Sequence, residues 1–295
     1  MASLSLHPRV ERARPLLGTL VRISIQGVPE AEAHSAINRG FAAIAEVHGL
    51  MSFHERASDL SQLNGAAHRN SVEVHPYTFE VLSRAVSLAA DTGGVFDPTI
   101  AGYLVDWGLL PPPEFSEVPD LKASWRDIEL MKGNRVQFHR PLWIDLGGIA
   151  KGYAVDRAIA ALGVDQEIQC CVNAGGDLRV RGPSAERVQL NVQPAGKTIP
   201  VLEIENGSVA SSSGYGLGRR RAGKAIGPHL DGTRRSVVGA RSFVTVLAEE
   251  CVIADALTKV VLAKGPKADS ILRRQGAAAY LHNVRSGWRK LGVAS

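Results

Sequence analysis

The chain has 295 residues, 45% of them hydrophobic and 21% charged, with a formal net charge of +5. Such a balance belongs to a globular protein able to bury a substantial core in one large domain or two smaller ones, and it excludes a disordered or fibrous chain. The positive excess suits an anionic ligand but falls short of a nucleic-acid signature, and no stretch reaches the roughly 20 apolar residues of a membrane span.

The three cysteines, Cys170, Cys171 and Cys251, lie in apolar surroundings and form neither a disulfide framework nor a zinc spacing. A reducing compartment is the simpler reading. The opening MASLSLHPRVERARPLL carries no apolar run of signal-peptide length, so a cytoplasmic location is expected. Thirty glycines imply many tight turns.

In chain order, Leu17 to Gln26 (LGTLVRISIQ) alternates as a strand does. Pro29 to Met51 repeats its apolar residues at helical spacing. Ser58 and Asp59 are cap residues for a short turn ending at Asn64. A second helix is predicted from about Tyr77 to Thr92, stopped by Gly93-Gly94. In Gly94 to Leu110, Pro98 disfavours helix at Asp97 and holds it extended. Leu110 to Leu121, with PPPEF at its front, reads as a loop, and Ile128 to Phe138 as a hairpin around Lys132–Arg135.

The stretch Trp143 to Arg157, WIDLGGIAKGYAVDR, organises the rest. Apolar residues lead to Asp145, the chain turns through Gly147-Gly148, and a helix begins. A strand, a glycine turn and a helix start can bring backbone N–H groups up to an anion, although the same pattern also serves tight packing alone.

Beyond it, Gln169 to Val180 reads as strand, Asn-Ala-Gly-Gly-Asp loop and strand, and Val188–Val192, Pro200–Ile204 and Ser208–Ser211 as further strands. Gly214 to Lys224 is a glycine- and arginine-rich loop. Ser242–Leu247 is a strand, Ala248–Leu262 an amphipathic helix, and Ala277–His282 and Gly287–Leu291 close as strands. No regular βαβ period emerges, so an α+β fold is expected. The order strand, helix, strands occurs twice, about 16–165 and 166–295, which points to two similar β-α-β halves in a single domain over 1–295.

Four loops carry acids or glycines: FDPT at Phe96–Thr99, DLGGIAKG at Asp145–Gly152, NAGGD at Asn173–Asp177 and ADALTK at Ala254–Lys259. There is neither a nucleophile elbow nor a Walker loop. Asp255 and Thr258, three apart on a predicted helix, could both offer oxygen to one hard cation or make local hydrogen bonds. Arg219, Arg220, Arg221, Arg234, Arg235 and Lys224 surround His229, either as a solvated loop or as a basic patch around an acid/base candidate. Nucleic-acid binding would want interleaved aromatics, and only Tyr215 is near.

The ordered set LLGTLVRI, MSFHERASDLSQLN, GGVFDPTI, WIDLGGIAKGYAVDRA, NAGGDLRV, GPHLDGTRR and SFVTVLAEECVIADALTKVVLAKG resembles the FAD:protein FMN transferase (ApbE) family, over about Leu16 to Gly265. The resemblance implies an α+β fold whose two similar halves pack around a flavin-binding cleft. It implies that FAD binds with Mg2+ on its diphosphate and that a threonine hydroxyl of an acceptor flavoprotein attacks the FMN phosphorus, releasing AMP. By motif position Gly148, through its carbonyl, and Asp255 would hold the metal; Thr258, a donor on its spacing to Asp255, sits where the family has alanine or a second acid. Leu17, His54, Val95, Phe96, Asp97, Asp145, Lys151 and Leu230 would line the FAD site. His229 and Asp255 would be catalytic.

The chain departs from the family pattern at His54, where a tyrosine is common, in the shortened HLDGTRR, and at Lys259, where the helix usually offers a hydroxyl. FAD hydrolysis to FMN and AMP, and a non-catalytic flavin-binding protein with a degenerate metal site, are therefore the alternative expectations.

Overall fold

Leu17 and Gly18 both hold left-handed backbone, with φ of 54° and 69°. Two such residues in a row form the tight turn whose twist matches the strands it joins. They close a hairpin between β1 (Val10–Leu16) and β2 (Thr19–Gln26), with Leu16 opposite Thr19. β1 was not legible in the sequence: VERARPL is a charged, proline-bearing edge strand with five exposed residues in a row, the composition that protects a sheet edge. The computed structural model describes residues 7–113, 117–190, 192, 200–221 and 223–292. Residues 1–6 of the opening stretch, Glu114 and Phe115 of the proline-rich loop and Asn191 of the strand expected at Val188–Val192 lie outside them.

Helix α1 (Glu30–Met51) follows and buries Ala33, Ala36, Ile37, Phe41, Ile44 and Val47 along one face, as its spacing requires. Ser58 caps α2 (Asp59–Ala66) by accepting from Ser61 N. Asp59 reaches past β3 (Val72–Glu73) to the start of α3 (Pro76–Asp91), where its Oδ2 accepts from His75 N and Thr78 Oγ1 at 2.8 and 2.7 Å. Helix α4 (Ala101–Asp106), unexpected in the sequence, comes before β4 (Ile128–Met131) and β5 (Arg135–Phe138). β3, β5 and β4 form a small sheet.

Leu142 to Asp145 is extended but pairs with no strand, which corrects the expected strand. Two side-chain bonds replace the ladder: Ile144 N donates to Asn64 Oδ1 at 2.8 Å and Asn64 Nδ2 donates to Ile144 O at 3.0 Å. Asp145 N also donates to Pro98 O at 2.8 Å. Helix α5 (Ala150–Ala161) then begins.

The second half supplies β6 (Gln169–Ala174), β7 (Asp177–Arg181), the β8 (Glu186–Gln189) and β9 (Val201–Ile204) hairpin, and β10 (Ser208–Ser213). The arginine-rich segment expected as loop contains the pair β11 (Arg219–Arg221) and β12 (Lys224–Ile226), and β13 (Leu230–Asp231) pairs with β14 (Ser236–Val237). Then come β15 (Ser242–Ala248), α6 (Cys251–Lys264), α7 (Asp269–Arg274), β16 (Ala278–Asn283) and β17 (Gly287–Leu291).

The architecture is α+β. One antiparallel sheet runs β1-β2-β6-β7-β10-β15-β16-β17 and passes through both segments 16–165 and 166–295, because β2 pairs with β6. Helices α1, α5 and α6 lie side by side on one face over the main core. The β8–β9 hairpin covers part of the other face, where its Ile204 packs with Leu178 and Val180 of β7 and Val209 of β10. Strand alternation gives β7 two faces. Leu178 and Val180 face that hairpin, while Asp177 and Arg179 face α5 and pair with Lys151 and Asp156 at 2.8 and 2.6 Å.

Candidate active site

Two adjoining cavities of about 410 and 580 Å3 open where the Gly147-Gly148 turn, the FDPT loop, β10 and α1 converge, and they share Leu110, Asp145, Gly147 and Lys151. The first is walled by Val95, Phe96 and Asp97 on one side and by His229 and Leu230 on the other, with Gly148, Lys151 and Lys259 at its base. Leu17 and His54 line the second. Fold and cleft therefore bring together ten of the twelve residues expected at the site, from five separate segments; the two that stand apart are Asp255 and Thr258. Both are 0% exposed and lie under the base of the cavity.

Beneath the cavity sit two ammonium groups and two carboxylates. Lys151 Nζ lies 2.8 Å from Asp177 Oδ2. Burial works against the Lys151 charge, but the carboxylates of Asp177 and Asp255 outweigh it and raise its pKa. Burial, reinforced by the charge of Asp255, pushes Asp177 up. Burial also opposes ionisation of Asp255, yet Lys259 and Lys151 hold its carboxyl below the usual range. Asp255 Oδ2 accepts from Gly152 N at 3.0 Å, while Lys259 Nζ donates to Oδ1.

His229 Nε2 has Ser213 O as its partner at 3.1 Å. A carbonyl only accepts, so Nε2 carries the proton and Nδ1 a lone pair. Burial, with the nearby Lys259 charge, lowers the His229 pKa to about 4. The ring is neutral near pH 7 and able to take a proton.

Some motif acids have structural work. Asp97 is buried and accepts from Arg235 Nη2 at 3.0 Å, Thr99 N at 2.9 Å and Thr99 Oγ1 at 2.7 Å. Arg235, expected among solvated arginines, is thus the partner that neutralises this loop. Arg221 likewise donates to Asp106 O at 2.6 Å. Asp156 accepts from Cys251 N and Val252 N at 3.0 and 2.8 Å, which caps the start of α6. Asp145 is raised by burial against a bond from Gly147 N.

Two contributors were given no role in the sequence: Asp177, which pairs with Lys151, and Ser211–Ser213 on β10, which line the first cavity. Asp177 sits in the NAGGD motif, and Ser211–Ser213 is a run of small polar residues at a strand end. Their position beside α5 and α6 follows only from the sheet order.

The expected metal donors do not fit Mg2+, which demands near-octahedral oxygen ligands at about 2.1 Å. Both Asp255 oxygens are engaged, one by Gly152 N and one by an ammonium. Thr258 Oγ1 spends its proton on Asp255 O at 2.6 Å and is bonded to Ser212 Oγ at 2.8 Å. A Cβ on Gly148 would lie 3.6 Å from Lys259 Cε, so the lysine stem fills the space between Gly148 and Asp255. Among the described residues no group of three or more His, Cys, Asp or Glu could hold a metal.

Comparison with known proteins gives consistent matches. A curated FAD:protein FMN transferase of Treponema pallidum is 27% identical over 232 residues, covering 69% of this chain and 64% of its own length, so the chain spans just under two thirds of that relative. One from Rhodobacter capsulatus is 29% identical over 278 residues, covering 88% of this chain and 52% of its own length. The crystal structure of the ApbE protein from Thermotoga maritima superposes with a TM-score of 0.84 at 26% identity, covering 96% of this chain and 97% of that one. The family model for ApbE matches residues 17–281. With that match running from the β1–β2 turn into β16, the chain belongs to the ApbE family.

Proposed function

We propose that this protein transfers FMN from FAD to a threonine hydroxyl of an acceptor flavoprotein. The observation that carries the reading is the single cavity in which the Gly147-Gly148 turn, Lys151 and Lys259 face neutral His229. The two ammonium groups and the turn supply positive potential for a diphosphate, while Phe96, Leu230, Leu17 and His54 offer apolar and ring surface for the flavin and adenine. In the step itself, the threonine oxygen bonds to the FMN-side phosphorus and the bridging P–O bond breaks. AMP leaves with the bridging oxygen, and the hydroxyl proton passes to His229 Nδ1. Catalysis of this kind rests on positioning and charge stabilisation. Mg2+, implied by the family resemblance, has no part in these steps because its expected donors are already engaged.

Other support is coarser. No helix among the described residues is long and apolar enough to cross a membrane. The free thiols of Cys170, Cys171 and Cys251 fit the reducing cytoplasm in which we place the reaction.

The test is incubation with FAD and a threonine-containing acceptor peptide, read by mass spectrometry for an FMN adduct and by chromatography for AMP. Adduct and AMP in equal amounts are expected, with His229→Ala slowing formation about 10²-fold or more. AMP without adduct would make the protein a hydrolase. FAD binding with neither product would make it a flavin-binding protein and overturn the transferase reading.

A further inference from the structure

Lys259 lies one helical turn beyond Asp255 on α6, so its side chain returns over the Asp255 carboxylate. Its ammonium donates to Asp255 Oδ1, reaches Asp255 O at 3.2 Å, and lies 3.4 Å from Ser212 Oγ. Its stem rests against Gly148. The ammonium therefore sits on Asp255 and its stem against Gly148, the two residues that family position assigns to a metal. We propose that the Lys259 ammonium is a built-in replacement for the divalent cation, so that this chain binds the diphosphate of FAD without any divalent metal. The inference rests on the FAD reading above for its ligand, but its metal half stands independently.

Three observations carry it. The first is engagement of the donors. Thr258 gives its only proton to Asp255 O, so Ser212 must donate to Thr258, and the lone pairs of Ser212 face Lys259. Each of these oxygens already has a partner, so a second cation would have to displace or share one of these bonds. The second is charge. A divalent ion at the same place would sit in contact with a fixed ammonium, and like charges that close repel strongly in a site shielded from water. The third is the direction in which the ammonium can act. The Lys259 side chain is 20% exposed and lines the cavity, whereas the Asp255 side chain beneath it is 1% exposed. Its longest bond, 3.4 Å to Ser212 Oγ, exceeds an ordinary hydrogen bond, and Ser212 keeps its 2.8 Å bond to Thr258. A phosphate oxygen can displace that bond and gain a charge-assisted one. Lys151, paired with Asp177 across the same base, places a second ammonium along the diphosphate.

The test has two arms on the full chain. In the first, FAD binding is measured by quenching of flavin fluorescence in a chelator and again in millimolar Mg2+. The wild-type protein is expected to bind equally in both. Lys259→Thr is expected to lose about tenfold or more in chelator, as befits a lost charge-assisted bond, and to regain it with Mg2+. Lys259→Arg, which keeps the charge, is expected to stay insensitive to metal, and this variant guards against a folding defect at position 259. In the second arm, Mn2+ alone is followed by electron paramagnetic resonance. Wild type is expected to leave it free, and Lys259→Thr to bind it. Wild-type FAD binding that needs Mg2+, or specific Mn2+ binding by the FAD-free wild type, would overturn the proposal. Failure to bind FAD in either buffer would overturn the FAD reading instead, and the Mn2+ arm would still decide whether the lysine stands in for a metal.

Discussion

Gly152 N donates to Asp255 Oδ2 at 3.0 Å across the crossing of α5 and α6. That bond requires the two helices to touch backbone to backbone, and a Cβ on Gly152 would lie 2.3 Å from Cys251 O and 2.8 Å from Asp255 Cβ. Gly152→Ala is expected to destabilise the fold by at least about 1–3 kcal/mol, the usual cost of overpacking. Urea denaturation of the purified variant checks this, and an unchanged midpoint would mean that the crossing can open without cost.

Asp156 is expected to matter for stability rather than for FAD. It accepts two backbone bonds at the start of α6 and pairs with Arg179 at 2.6 Å. Asp156→Ala removes a cap and strands a partly buried guanidinium, a loss of about 2–4 kcal/mol. The melting temperature should fall while FAD affinity of the folded fraction holds.

The pH profile of transfer should reflect the lowered pKa of His229. In the folded chain the ring protonates near pH 4, against an ordinary value of 6.5. As a base it is competent above about pH 4, so the rate is expected to stay level from pH 7 to pH 5 and to fall only below that. The sign for stability is the same. Between pH 6.5 and 4 the unfolded chain takes up a proton that the folded chain refuses, so stability is full above pH 6.5 and declines as pH falls. Lys259 is one cause of the depression, and Lys259→Thr should move the acid limb of the rate profile upward. A limb near pH 6.5 in the wild type would exclude His229 as the base.

Leu17 holds φ of 54° and lines the second cavity. A leucine in left-handed backbone costs about 1–2 kcal/mol, and asparagine tolerates that conformation better. Leu17→Asn is expected to raise thermal stability and to weaken FAD binding by about tenfold through loss of apolar contact. Thermal melts and fluorescence titration measure the two effects on one sample. A variant that gains stability without losing affinity would remove Leu17 from the flavin wall.

Much of the fold could be read from local pattern because the responsible forces are local. Helical spacing placed α1 and α3 within a residue or two of their observed ends, and Ser58 was a recognisable cap because its oxygen meets an N–H three residues on. β1 escaped, since an edge strand is charged and exposed like a loop. Leu142–Asp145 looked like a strand because it is apolar and extended, but its partners are Asn64 and Pro98, 80 and 47 positions earlier in sequence for Ile144 and Asp145.

The sequence by itself determined the class of fold, the family motifs and most residues of the cleft, since each motif is a short run whose chemistry travels with it. Only the tertiary structure decided which charges meet. Asp97 finds Arg235, Asp156 finds Arg179, and Lys151 finds Asp177 because the sheet order and the α5–α6 crossing bring distant segments together. The sequence also left the direction of Lys259 open, since a lysine one turn past an acid can reach solvent as easily as its neighbour. The packing of its stem against Gly148 and the buried Asp255 carboxylate turn it inward, where a charge is stable only beside its counter-charge.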